Sequence, residues 1–115
     1  MEIEPPLRVF RVTVRGRFAD LIPEARRHLV DAQADHDILR SGFTAEGTLT
    51  YDARIDFFNV RYEIRARGAD AESVAVAQAT ETTELFFRTL RIGFRDLRAQ
   101  VMDMSAMTER RSRRS

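Results

Sequence analysis

An α+β fold built on one antiparallel sheet is predicted for these 115 residues by three observations. Four stretches alternate apolar and polar residues with period two, and two longer stretches repeat apolar residues at helical spacing. The six follow one another as strand, helix, strand, strand, helix, strand. No internal repeat or second pattern competes, and a chain of this length buries roughly two thirds of its unfolded surface as one domain.

The first strand is RVFRVTVRGRF, residues 8–18. Phe10, Val12 and Val14 point one way and Arg11, Thr13 and Arg15 the other, as a half-buried strand requires. Gly16 marks a bulge or the strand's end. Pro23 and Glu24 then suit the first turn of a helix, because proline has no N–H to lose there and the acid complements the positive helix end. Ile22, Ala25, Leu29, Ala32 and His36 recur at helical spacing, while Glu24, Arg27, Asp31 and Asp35 face water, which places this helix at about 22–36.

Thr44-Ala45-Glu46-Gly47 reads as a type I turn. Beyond it Leu49 and Tyr51 alternate with Thr48 and Thr50 in a second strand, and Asp52 to Asp56 form the connecting turn. Phe58, Val60, Tyr62 and Ile64 alternate with Asn59, Arg61, Glu63 and Arg65 in a third strand, antiparallel to the second. Asp70 stands where it can cap a helix over about 71–91, with Glu72 in the first turn and Ala75, Ala79, Thr82, Phe86 and Leu90 as the expected buried stripe. Leu97, Ala99 and Val101 alternate with Arg98, Gln100 and Met102 in a fourth strand.

Two right-handed crossovers flanking a hairpin give the ferredoxin-like βαββαβ sandwich: four antiparallel strands in the order 4-1-3-2 with both helices on one face. The domain is expected over 1–104. The tail 105–115 lacks apolar anchors and is expected to be disordered.

FRVTVRGRF near the start, the central HDILRSGFTAEGTLTYD and GFRDLRAQVMDMSAM near the end resemble a family of small, uncharacterised actinobacterial proteins classed as a domain of unknown function. The resemblance covers about residues 8–107. It implies no activity and no catalytic residue. At the turn the family often has proline where this chain has Ala45.

The chain contains no cysteine, which excludes disulfides, thiolate nucleophiles and cysteine-bound metal centres. Its start is acidic and lacks a signal-peptide core, and no run of about 18 apolar residues occurs, so a cytoplasmic protein without a membrane anchor is expected. Every basic residue is arginine, as a GC-rich coding sequence would produce. The formal net charge of +1 belongs to the tail, where Arg110, Arg111, Arg113 and Arg114 face a single acid, Glu109; the body is slightly acidic. The glycines are scattered without a phosphate-cradling pattern, so no cofactor is expected. His28 and His36 lie eight apart and do not form an i, i+4 metal pair, and His28, Asp31 and Asp35 read as a solvated face, so no metal is expected. The aromatic residues Phe10, Phe58 and Tyr62 have the parity of the helix side, which leaves arginines without stacking platforms on the open face and makes nucleic acid an unlikely partner.

His36-Asp37 offers an adjacent pair for a nucleophile–base arrangement, but neighbours in sequence point apart, and a histidine in a helix's last turn instead complements the negative helix end. The weak catalytic candidates are His36 and Arg61; the weak ligand-binding candidates are Tyr51, Phe57, Arg61 and Tyr62. Phe57, Phe87 and Ile92 do not fit the core stripes and are candidates for an interface or pocket lining. Two functions are carried forward. One is a non-catalytic binding or interaction module for a small hydrophobic or anionic ligand. The other is a cofactor-free enzyme, such as a polyketide cyclase or monooxygenase, of the dimeric α+β barrel type. A homodimer is expected, and the open sheet face is either solvated, with Arg and Glu paired across strands, or the surface on which two sheets pack face to face.

Overall fold

A computed structural model describes residues 5–37 and 42–105. Strand β1 (Arg8–Phe18) leads to helix α1 (Pro23–Ala32) and a 3-10 turn, Gln33–His36; β2 (Thr48–Tyr51), β3 (Phe57–Ala66), helix α2 (Ala71–Thr89) and β4 (Phe94–Asp103) follow. All neighbouring strands pair antiparallel, and their order is β2-β3-β1-β4, the expected order counted from the other edge. The α+β architecture therefore holds. The disordered tail expected from 105 falls almost wholly outside the described residues; Ser105 itself accepts the Val9 N–H on its hydroxyl at 3.0 Å.

One face of the sheet is buried, as the alternation of the strands demands. Phe10, Val12 and Val14 of β1 and Phe58, Val60, Tyr62 and Ile64 of β3 form a continuous core with Ala25 and Leu29 of α1 and the inner row of α2. Removing this much apolar surface from water is the main driving force for the fold. At its centre Phe58 and Phe87 meet edge to face with centroids 4.6 Å apart, and Phe18 sits 5.1 Å from Phe58.

Gly16 falls on this buried side, and the Phe58 ring lies directly over it. A Cβ there would come within 2.6 Å of Phe58 Cζ, so the missing side chain makes room for the ring. The expected irregularity is present at the same level: Arg15 pairs with Arg98 but Arg17 with Arg95, so β4 carries one extra residue opposite Gly16. Asp96 accommodates it with φ +57°.

Helix α2 departs from the expected stripe. Its buried residues are Ala71, Ala75, Ala79, Thr83 and Phe87, whereas Thr82, Phe86 and Leu90 face outward. The row keeps a strict four-residue step, and such rows run inclined to the helix axis, which lets the helix lie across a twisted sheet. Phe87 and Ile92, read from sequence as pocket or interface lining, are therefore core residues, 0% and 3% exposed. Asp70 occupies the N-cap position but makes no capping hydrogen bond through its side chain. The first helix is shorter than expected, its last turn tightening to 3-10 geometry before His36, and Ile22 at its start is exposed.

The turn before β2 closes through a side chain: the Gly47 N–H donates to the Thr44 hydroxyl at 3.0 Å. Gly47 has φ +94°, and a Cβ there would lie 2.4 Å from the Tyr62 ring, so glycine is required twice over. Thr44 in turn accepts the Glu63 N–H on its carbonyl, which fastens the segment to β3.

Candidate functional site

The face of the sheet opposite the helices is the candidate site, and strand register assembles it. One row across the sheet is Thr50, Asn59, Arg15 and Arg98; the next is Thr48, Arg61, Thr13 and Gln100; the third is Glu63, Arg11 and Met102. Met102 apart, these are the polar positions of each strand, so the alternation that builds the core on one side gathers cations on the other.

Two phenylalanines flank this surface. Phe57 carries the guanidinium groups of Arg15 and Arg17 at 5.1 and 4.8 Å from its ring centroid, and Phe43 carries that of Arg11 at 5.0 Å, with Arg61 at 5.9 Å. Such contacts orient the guanidinium planes without consuming their hydrogen-bond donors. Acids answer only part of the charge. Arg17 places Nε and Nη2 on Asp56 Oδ1 at 3.2 and 3.0 Å, and Arg11 stands 3.9 Å from Glu63. Arg15, Arg61 and Arg98 have no carboxylate partner among the described residues. All three line an open trough of about 790 Å³, together with Arg17, Thr13, Asn59, Gln100 and Asp96, whose carboxylate stands 3.8 Å from Arg95. Within it, Arg61 Nη1 is shielded from solvent and has no hydrogen-bond partner, and Arg11 Nε shares that condition nearby.

A guanidinium has donors only. A buried donor without an acceptor costs about 1–3 kcal/mol, and more when charged. The shielded Arg61 Nη1 thus lacks an acceptor although the trough that holds it also contains side-chain oxygens.

The sequence-based candidates do not converge. Arg61 and Phe57 both line the trough. His36 lies beyond the outer edge of β2 on the helix side, where its Nδ1 donates to the Leu49 carbonyl at 3.0 Å and its ring stacks on Tyr51, centroids 5.4 Å apart. Tyr51 is buried and donates its hydroxyl to the Leu29 carbonyl at 2.6 Å. Tyr62 is buried too: its hydroxyl donates to Thr83 Oγ1 at 2.8 Å, which donates onward to the Ala79 carbonyl at 2.9 Å. Burial raises the pKa of both phenols above 10.0, with the Asp35 carboxylate adding to the effect at Tyr51. The sheet therefore separates His36, Tyr51 and Tyr62 from Arg61. Sequence reading missed Arg98, Arg15 and Phe43 as site residues; strand parity alone already put Arg15 and Arg98 on the polar side, but only pairing makes them neighbours. Among the described residues no group of three His, Asp or Glu is placed to hold a metal, and no helix is long and apolar enough to cross a membrane.

Over residues 1–115 the chain matches DUF6204, described as a family of unknown function. The chain belongs to that family. Membership in a family of unknown function, expected from three short motifs, thus extends over the full length, and the family's description carries no activity that could assign a role to the trough. No curated protein and no solved structure matches the chain.

Proposed function

We propose that this DUF6204 member is a cytoplasmic, non-catalytic binding protein that receives a small anion, a carboxylate or phosphate, in the open-face trough. The observation that carries the reading is the buried, unpartnered Nη1 of Arg61 beside two more arginines, Arg15 and Arg98, that have no carboxylate partner among the described residues, Asp96 in the same lining being paired with Arg95. Planar guanidinium forks match the oxygen pairs of carboxylates and phosphates, and Thr13, Asn59 and Gln100 add neutral hydrogen bonds around them. The enzyme alternative has less support. Of its candidates, Arg61 lines the trough but His36 lies on the helix side, and the hydroxyls of Tyr51 and Tyr62 are already engaged within the core.

The homodimer expected from sequence joins this reading in one form. Two open faces pressed together would confront the unneutralised arginines of one copy with those of the other, and like charges in a desolvated space repel. An anion between them removes that obstacle, so pairing through this face follows ligand binding. Light scattering with and without pyrophosphate reads this directly: a mass near 13.3 kDa without the anion and a doubled mass with it are expected.

Calorimetric titration with pyrophosphate at low ionic strength tests the binding itself. Saturable binding is expected for the wild type, with a loss of tenfold or more in Arg61→Gln and Arg98→Gln, as each charged hydrogen bond contributes about 1.5–3 kcal/mol. Equal affinity in the wild type and both variants, or no binding by any of them, would refute the proposal.

A further inference from the structure

Two hollows adjoin on the open face, and we infer that they are two halves of one site for an amphipathic anion: a phosphate or carboxylate head bearing an apolar tail. This rests on the anion reading above. Beside the basic trough lies a second hollow of about 510 Å³, bounded by Arg11, Phe43, Val101 and Met102. Thr13 and Gln100 border both hollows, so the short polar row they form is a shared floor rather than a wall.

The two halves differ in chemistry. The trough holds Arg15, Arg61 and Arg98 together with Asp96, whereas the second hollow offers, beside Arg11, the Phe43 ring and the Met102 thioether, the latter 52% exposed on the edge strand β4. A flexible thioether at such a position adapts to apolar ligands of varied shape. Phe43 is held as a wall, with the Arg11 guanidinium against its ring and Thr44 fastened to β3 by its carbonyl. Arg61 joins the halves, since it lines the trough and its guanidinium lies 5.9 Å from the Phe43 ring. From Arg15 to Arg11 along β1 the rise is about 13 Å, so a head on Arg15 and Arg98 and a tail of several carbons reach from one hollow into the other.

Calorimetric titration of the full chain with inorganic phosphate, butyl phosphate and hexyl phosphate at low ionic strength provides the test. For the wild type, affinity rises about two- to fourfold per methylene as the tail enters the apolar hollow. Phe43→Ala and Met102→Ser flatten that rise, so that in each variant the ratio of hexyl phosphate to inorganic phosphate affinity falls toward one; thermal melts of both variants verify that they fold. Equal wild-type affinity for the three probes would overturn the amphipathic site and leave the anion reading standing, whereas no binding of any probe would overturn both. A chain-length dependence that survives in both variants would also overturn it, because the tail would then lie elsewhere. So would a uridine hexanucleotide that binds more tightly than hexyl phosphate and is indifferent to both substitutions, which would point to nucleic acid.

Discussion

The two faces of the sheet are made by the same residues in alternation, yet they reach opposite ends of polar satisfaction. On the helix side, the tyrosine hydroxyls are both satisfied: Tyr51 by a backbone carbonyl and Tyr62 through Thr83 to Ala79. On the open side, Arg61 Nη1 and Arg11 Nε are shielded without an acceptor, and Arg15, Arg61 and Arg98 have no carboxylate partner among the described residues. The first face is complete as it stands, and its substitutions should read out as stability. On the anion proposal the second is completed by its ligand, and its substitutions should read out as binding.

Phe87→Ala probes the contrast most severely. Phe87 is fully buried among Phe18, Phe58 and Phe94, and removing the ring should cost about 3–5 kcal/mol in denaturant unfolding. A loss below about 1 kcal/mol would show that the helix side is loosely filled and that the contrast between faces is overdrawn. Gly16→Ala should cost about 1–3 kcal/mol, since the new Cβ would push the Phe58 ring aside and strain the core from the sheet side.

Tyr62→Phe should cost about 0.5–1.5 kcal/mol by removing one buried donor, and it also carries a pH signature. Because the folded phenol has its pKa raised above 10.0 by burial, the folded state holds that proton more tightly than the unfolded chain does. Its contribution is fully present below pH 10 and is lost as pH rises through the folded pKa, so wild-type melting temperature should fall steeply above pH 10 and less steeply in Tyr62→Phe. Parallel pH profiles would show that the phenol is not protected by the fold. Arg61→Gln comes last. It should change unfolding free energy by no more than about 0.5 kcal/mol, or raise it, because the donor it removes has no partner to lose. Loss of more than about 1 kcal/mol would mean the guanidinium serves the fold and would erase the difference between the two faces.

The strands were legible because their pattern is local. Arg8–Phe18 and Thr48–Tyr51 match the expected spans residue for residue, and the turn from Asp52 to Asp56 lies where it was read. The buried row of α2 was legible only as far as Ala79. After it, steps of three and four are equally helical, and whether Thr82 or Thr83 faces inward depends on the crossing of helix and sheet, which the periodicity of one segment does not contain. Thr83 is chosen by its position under the Tyr62 hydroxyl. His36 illustrates the same limit. Its place at a helix end was readable, but not its partner, the Leu49 carbonyl on a strand that follows an intervening loop.

The amino-acid sequence by itself determined the order of elements, the alternation of the first three strands and the absence of any cysteine chemistry, since period two and composition are properties of short stretches, whereas the bulge at Asp96 turns Phe94 of β4 toward the core against that alternation. The tertiary structure alone decided that Arg15, Arg61 and Arg98 come from three strands to one trough, that Phe43 and Met102 meet beside it, and that His36 lies on the other side of the sheet. These are outcomes of register between distant segments, set by the joint packing of the buried face, and no single segment carries them.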